Sequence, residues 1–118
     1  MIRALLLVIL FLLFPNKDVP LLESGKAQRV RQPSTATEIK IVSYNIRWRS
    51  GDDLKLLIKF FKEDSEIGGG AILGLQEVDR RKQRSGNCNT AKTIAQELGL
   101  HYAWAAPPAA KPDHAGRS

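Results

Sequence analysis

Only one cysteine, Cys88, occurs in the 118 residues, so no disulfide can close within the chain. The two histidines, His101 and His114, lie in unrelated contexts, and no Cys/His spacing suited to zinc surrounds Cys88. A nucleophilic thiol would want a basic partner; Cys88 reads instead as an incidental loop residue. No run of Lys and Arg is dense enough to form a nucleic-acid stripe, and no internal repeat is visible. What remains is a moderate excess of positive charge, +6 with a pI near 9.8. That suits an anionic partner such as a phosphate ester, nucleic acid or a membrane surface, but scattered basic residues also simply keep a chain soluble.

The N-terminus carries one early positive charge, Arg3, followed by an unbroken apolar run over 4–14. This is the pattern of a secretory signal, expected as a hydrophobic N-terminal helix. A permanent span needs about 20 apolar residues, which this run does not reach. Pro15 follows at once, and the small residues Gly25 and Ala27 lie far from the apolar run, so both a cleaved signal peptide and an uncleaved anchor stay open for residues 1–15. Either implies an exported or membrane-anchored, extracytoplasmic protein. Residues 16–37 mix Pro20, Ser24, Pro33, Ser34 and Thr35 with alternating charges, and predict a flexible linker.

The folded part is expected over 38–108. Ile39, Ile41, Val42 and Tyr44 make a β-rich run ending at Asn45. Ser50 and Asp53 form an S-x-x-D helix start. Leu54, Leu57, Ile58 and Phe61 then follow at helical spacing on one face, and Gly68-Gly69-Gly70 ends the segment. Ala71 to Leu75 reads as a second strand closed by Gln76-Glu77. Asn89 is placed to cap a second helix whose apolar face is Ala91, Ile94, Ala95 and Leu98, with Gly99 at its C-terminal cap. A third strand carries Tyr102 and Trp104 on one face, both expected in the core, and Pro107-Pro108 stops it. Residues 109–118 read as a disordered tail. The order β-α-β-α-β defines an α/β chain opening on a right-handed parallel crossover.

Parallel strands send their carboxyl ends to one edge of the sheet, which is where open α/β sheets bind ligands. Asn45 ends the first strand and Glu77 the second, so topology alone brings an amide and a carboxylate to one mouth. A carboxylate there suits a hard divalent cation, and an amide orients it or bonds a phosphate oxygen without adding charge. From spacing alone, a turn-forming Asn45 and a solvated Glu77 explain the same residues.

Three blocks carry a resemblance. The first is Ile39-Lys40-Ile41-Val42-Ser43-Tyr44-Asn45-Ile46-Arg47, and the second is Ile72-Leu73-Gly74-Leu75-Gln76-Glu77-Val78-Asp79. The third is Arg84-Ser85-Gly86, followed by Asn89 and the second helix. In this order the chain resembles the N-terminal portion of the endonuclease/exonuclease/phosphatase superfamily, whose fold is like that of deoxyribonuclease I. The resemblance implies a four-layered α/β sandwich and metal-dependent hydrolysis of phosphate esters, of phosphodiesterase or nuclease type. It implies Glu77 as ligand of Mg²⁺ or Mn²⁺ and Asn45 as a catalytic neighbour at the scissile phosphate; Gln76 either supports Glu77 from the strand end or is simply a satisfied polar side chain. Arg84 is a candidate phosphate contact, or else a solvated arginine among Arg80, Arg81 and Lys82. Asn89 is a candidate substrate contact, although capping explains it without chemistry. Trp48 offers a surface on which a base could stack.

The sequence departs from the family in lacking its later motifs: the Asp/Asn pair, a further Asp and the final Asp-His pair. His114, in Pro-Asp-His-Ala-Gly, does not match that last motif. Hydrolysis needs the metal, a positioned nucleophile and charge stabilisation together, and Asn45 with Glu77 cannot supply all three. The chain by itself is therefore expected to be a truncated, poorly folded and inactive portion. Expected partners are a phosphate-ester substrate (nucleic acid, phospholipid or inositol phosphate) and a membrane through residues 1–15, with no protein partner evident. The alternative is a non-catalytic, membrane-tethered α/β module that binds an anion without turnover.

Overall fold

The computed structural model describes residues 21–32, 35 and 37–108. The apolar segment expected over 1–15, with its helix, and the tail over 109–118 lie outside the described residues. Among the described residues, no helix is long and apolar enough to cross a membrane.

Among the described residues, six regular elements and a short 3₁₀ turn make up an α/β fold: β1 (Leu22–Gly25), β2 (Ile41–Asn45), α1 (Gly51–Glu63), β3 (Ile72–Gln76), the turn Gln83–Ser85, α2 (Thr90–Leu98) and β4 (Tyr102–Ala105). β2 and β3 pair in parallel, with Ile41 opposite Ile72 and Asn45 opposite Gln76. Only a crossover can join parallel neighbours, and α1 provides it. Val42 is buried and Leu73 partly buried in the core, while Ile41 and Ile72 on the opposite face are 68% and 54% exposed. Among the described residues the pair is thus covered on one side only.

The expected helical faces are the ones that bury. Leu54, Leu57, Ile58 and Phe61 of α1 join Val42, Ile46, Ile94 and Leu98 in one core. Fully burying each such side chain contributes roughly 1.5–3 kcal/mol. Tyr44 meets Phe61 edge-on at 5.5 Å between ring centroids, which locks α1 onto β2. α1 stops earlier than the glycine triplet. Asp64 takes extended backbone angles, and its Oδ1 accepts from the amides of Glu66 and Ile67 in a turn of its own. Ser50 occupies the N-cap position in extended conformation, but its side chain makes no capping bond.

Part of the segment expected as a flexible linker, 16–37, is ordered. β1 lies within it and pairs antiparallel with β4, setting Glu23 opposite Trp104. The chain that follows runs on as a strap. The Ala27 amide donates to His101 Nδ1 (2.9 Å), the Arg31 amide to the Gly99 carbonyl (3.0 Å), and Arg31 Nη2 to the Gly70 carbonyl (3.0 Å). Composition misled here because a strand of Leu, Glu, Ser and Gly has almost no apolar alternation. Its order comes from a ladder and side-chain bonds to residues more than seventy positions away. β4 consequently belongs to this second two-stranded sheet and not to the parallel pair.

Candidate active site at the carboxyl edge of the parallel pair

The two strand ends meet. Asn45 Nδ2 donates to Glu77 Oε1 at 2.8 Å, across 32 positions of sequence. The other half of the Asn45 amide is committed locally, where Oδ1 accepts from the Arg47 amide (3.0 Å) in an Asx turn. Beyond β2 the chain keeps alongside β3: the Ile46 amide donates to the Gln76 carbonyl and the Trp48 amide to the Glu77 carbonyl, both at 3.1 Å. Ile46 is fully buried between these two bonds. One apolar anchor and two backbone bonds therefore fix where Asn45 can reach.

Backbone strain concentrates at this edge. Arg47, Trp48 and Glu77 have φ of 49°, 55° and 55°. Residues with a Cβ avoid this left-handed region at a cost of roughly 1–2 kcal/mol each, and held strain of this kind clusters where function demands a particular side-chain direction. Of the two readings of Gln76, the satisfied polar side chain holds. Its Nε2 donates to Ser43 Oγ (3.2 Å) and to the Gly74 carbonyl (3.0 Å), committing the amide along the sheet and not to its neighbour.

Arg84 is exposed but not isolated. It grips Asp79 with two bonds of 2.8 Å, Nε to Oδ2 and Nη2 to Oδ1. Asp79 is only 6% exposed and accepts a further bond from Ser85 Oγ (2.9 Å). The guanidinium also lies 4.6 Å from the centroid of the Trp48 ring. The bonds from Arg84 hold the Asp79 carboxyl below the usual carboxylate range, with Ser85 adding to the effect. In return Asp79 raises the Arg84 pKa, and the charge of Glu77 contributes to the same shift.

Asn89 caps α2, its Oδ1 accepting from the Lys92 amide (3.2 Å), and its Nδ2 donates to Glu23 Oε1. That glutamate also accepts from Tyr102 Oη (2.8 Å) and pairs with Arg80 (3.2 Å), which in turn lies 4.1 Å over Trp104. Tyr102 and Trp104 are partly buried with their polar tips satisfied, Trp104 Nε1 donating to the Val78 carbonyl. Asn89 is thereby committed to structure on both sides of its amide. Cys88 is a free thiol whose Sγ donates to the Ser85 carbonyl (3.1 Å).

Glu77, Arg84, Asp79 and Trp48 line one open groove of about 1030 Å³, which continues over Leu73, Leu75, Ile94 and Ala103. Sequence reasoning assigned no role to Asp79 or Glu23, and took Trp48 only as a stacking surface. Asp79 had a usable signal, an acid five residues before an arginine that leads into a Ser-Gly turn. Glu23 had none.

Glu77 offers one carboxylate with Oε1 oriented by Asn45, while Oε2 has no partner among the described residues. Mg²⁺ is commonly held by one or two carboxylates and keeps several waters, so this donor fits such an ion. Among the described residues no group of three or more His, Cys, Asp or Glu side chains converges, so the fit is that of a mostly hydrated cation. Comparison of the chain with family models, with curated proteins and with solved structures returned no match.

Proposed function

We propose that the site handles a phosphate ester in a divalent-metal-dependent hydrolase, and that the chain is an N-terminal portion of the four-layered sandwich its motif blocks resemble. The observation that carries this reading is the Asn45–Glu77 bond at the carboxyl edge of the parallel pair. Glu77 is exposed, yet it holds a left-handed backbone position with the amide of Asn45 from another strand bonded to its carboxylate. Glu77 would hold Mg²⁺ or Mn²⁺, which when bound supplies Lewis-acid polarisation of a phosphoryl oxygen. Asn45 orients the carboxylate, and the nearby cations Arg81, Lys82 and Arg84 in the groove favour an anionic substrate.

Water activation belongs, by the same resemblance, to motifs that these 118 residues do not contain. The reading is therefore tested by binding instead of turnover. Mn²⁺ titrated into the chain and followed by its electron paramagnetic resonance signal should show a site that weakens at least tenfold in Glu77→Gln. Equal affinity in that variant would falsify the assignment, and an anion-binding module without metal, tethered through residues 1–15, would become the better account.

A further inference from the structure

We infer that Asp79 is a positioning residue: with Trp48 it holds the Arg84 guanidinium as a preformed fork beside Glu77, and that fork binds a phosphate oxygen of the ester. The inference rests on the proposed hydrolase reading only for the chemical class of the ligand.

An arginine carries five N–H donors and a long side chain with about 2 kcal/mol of rotamer entropy. Two of the donors of Arg84 go to Asp79. The other three have no partner among the described residues. The Trp48 ring lies against the guanidinium, its centroid 4.6 Å from Cζ, and its backbone is fixed by the bond to Glu77. Asp79 is fixed in its turn by the Ser85 hydroxyl, and Ser85 is fully buried. Ser85 closes the short 3₁₀ turn whose cap, Gly86, has a φ of 73°. A flexible cation is thus held on two sides, with its donors partly unused, in the groove that Glu77 lines. A merely structural ion pair would use Arg84 to neutralise a buried acid. It would not need an aromatic shelf tied to the strand end that bears Glu77.

Two effects of opposite sign make the inference testable. Replacing Asp79 by Asn removes a negative charge near the fork, which on electrostatics alone strengthens anion binding. It also removes the bidentate grip, which weakens binding by restoring the freedom of the arginine. If Asp79 positions Arg84, the second effect dominates.

The experiment uses the full ¹⁵N-labelled chain, with chelator present to exclude metal, and dimethyl phosphate as the probe. The Arg84 Nε–H resonance should shift on titration. Asp79→Asn should bind about tenfold more weakly, and Arg84→Lys at least as weakly despite its retained charge. Binding in Asp79→Asn that equals or exceeds the parent overturns the inference, as does an Arg84 resonance that ignores the ligand. Should Asp79→Asn fail to fold, Arg84→Lys decides, since its exposed side chain leaves the core untouched; undiminished binding there is equally fatal. Mn²⁺ affinity measured on the same variants should stay within threefold of the parent, so that a failure of the metal site at Glu77 is read separately from a failure of the fork.

Discussion

Asn45 donates its side-chain N–H to Glu77 Oε1 while its own carbonyl accepts from the Arg47 amide, so one amide bridges a strand end to the turn that follows it. The bridge fixes which Glu77 oxygen remains open. Outer partners of this kind typically contribute 10–100-fold in metal affinity. Asn45→Ala should accordingly weaken Mn²⁺ binding by about tenfold, without the complete loss expected when the carboxylate itself is removed. Calorimetric titration of the two variants side by side checks the order. Asn45→Ala that binds as tightly as the parent would show that Glu77 needs no orienting.

Glu77 offers a sharper test, because stability and binding should move in opposite directions. Its φ of 55° is unfavourable for any residue with a Cβ. Glu77→Gly relieves that strain and forfeits the bond to Asn45, while the Trp48 amide keeps its bond to the backbone carbonyl. The expected net is a gain of about 0.5–1 kcal/mol in urea unfolding together with loss of the metal site. Glu77→Gln, which keeps the strained backbone, should bring no such gain. A destabilised Glu77→Gly would mean that the side-chain bond outweighs the backbone strain.

Much of this edge could be read from the sequence because its causes are local or topological. The spacing of Leu54, Leu57, Ile58 and Phe61 is that of a helical face, and those side chains bury. Asn45 and Glu77 each close a strand, and a parallel pair has no choice but to bring such ends together. Only one strand of the second sheet was legible: β4 could be read, but β1 could not. Glu23 sits among polar residues, its strand is four residues long, and everything that orders it arrives from the far end of the chain: Arg80, Asn89, Tyr102 and Trp104. Arg84 falls between these cases. Its charge was visible, but whether a loop arginine faces water or an acid depends on the turn at Ser85 and Gly86, which spacing does not reveal.

The Glu23 cluster should give stability a limit on both the acid and the alkaline side. The hydrogen bond from Tyr102 is the largest influence holding the Glu23 carboxyl below its ordinary value, with Asn89 and Arg80 adding to it. The same bond raises the Tyr102 pKa. For a depressed acid, the contribution is fully present above the unfolded pKa of about 4.3 and is lost as pH falls through the lower folded value. For a raised phenol, it is fully present below about 10 and is lost as pH rises through the higher folded value. Glu23→Gln should therefore lower Tm between those limits and flatten its fall on the acid side. Parallel melting curves of parent and variant across pH 2–11, offset by a constant, would argue that Glu23 contributes no titrating interaction.

Two glycines with nearly the same backbone can report whether the strap really docks. Gly99 caps α2 with φ of 66°, and a Cβ there would meet the Arg29 carbonyl oxygen at 2.8 Å and the Arg31 nitrogen at 3.1 Å. Gly86 has φ of 73°, but a Cβ there would meet nothing within 4 Å. Either glycine replaced by alanine incurs the left-handed penalty, about 1 kcal/mol. Only Gly99→Ala must also push backbone aside, and with it the bond from the Arg31 amide. The expected losses in urea unfolding are about 1 kcal/mol for Gly86→Ala and about 2–3 kcal/mol for Gly99→Ala. The excess should disappear when residues before 33 are removed, since the obstruction then goes with them. If both alanines cost the same in the full chain, the strap does not lie over Gly99 in solution, and the order seen across 26–32 is not part of what holds the protein together.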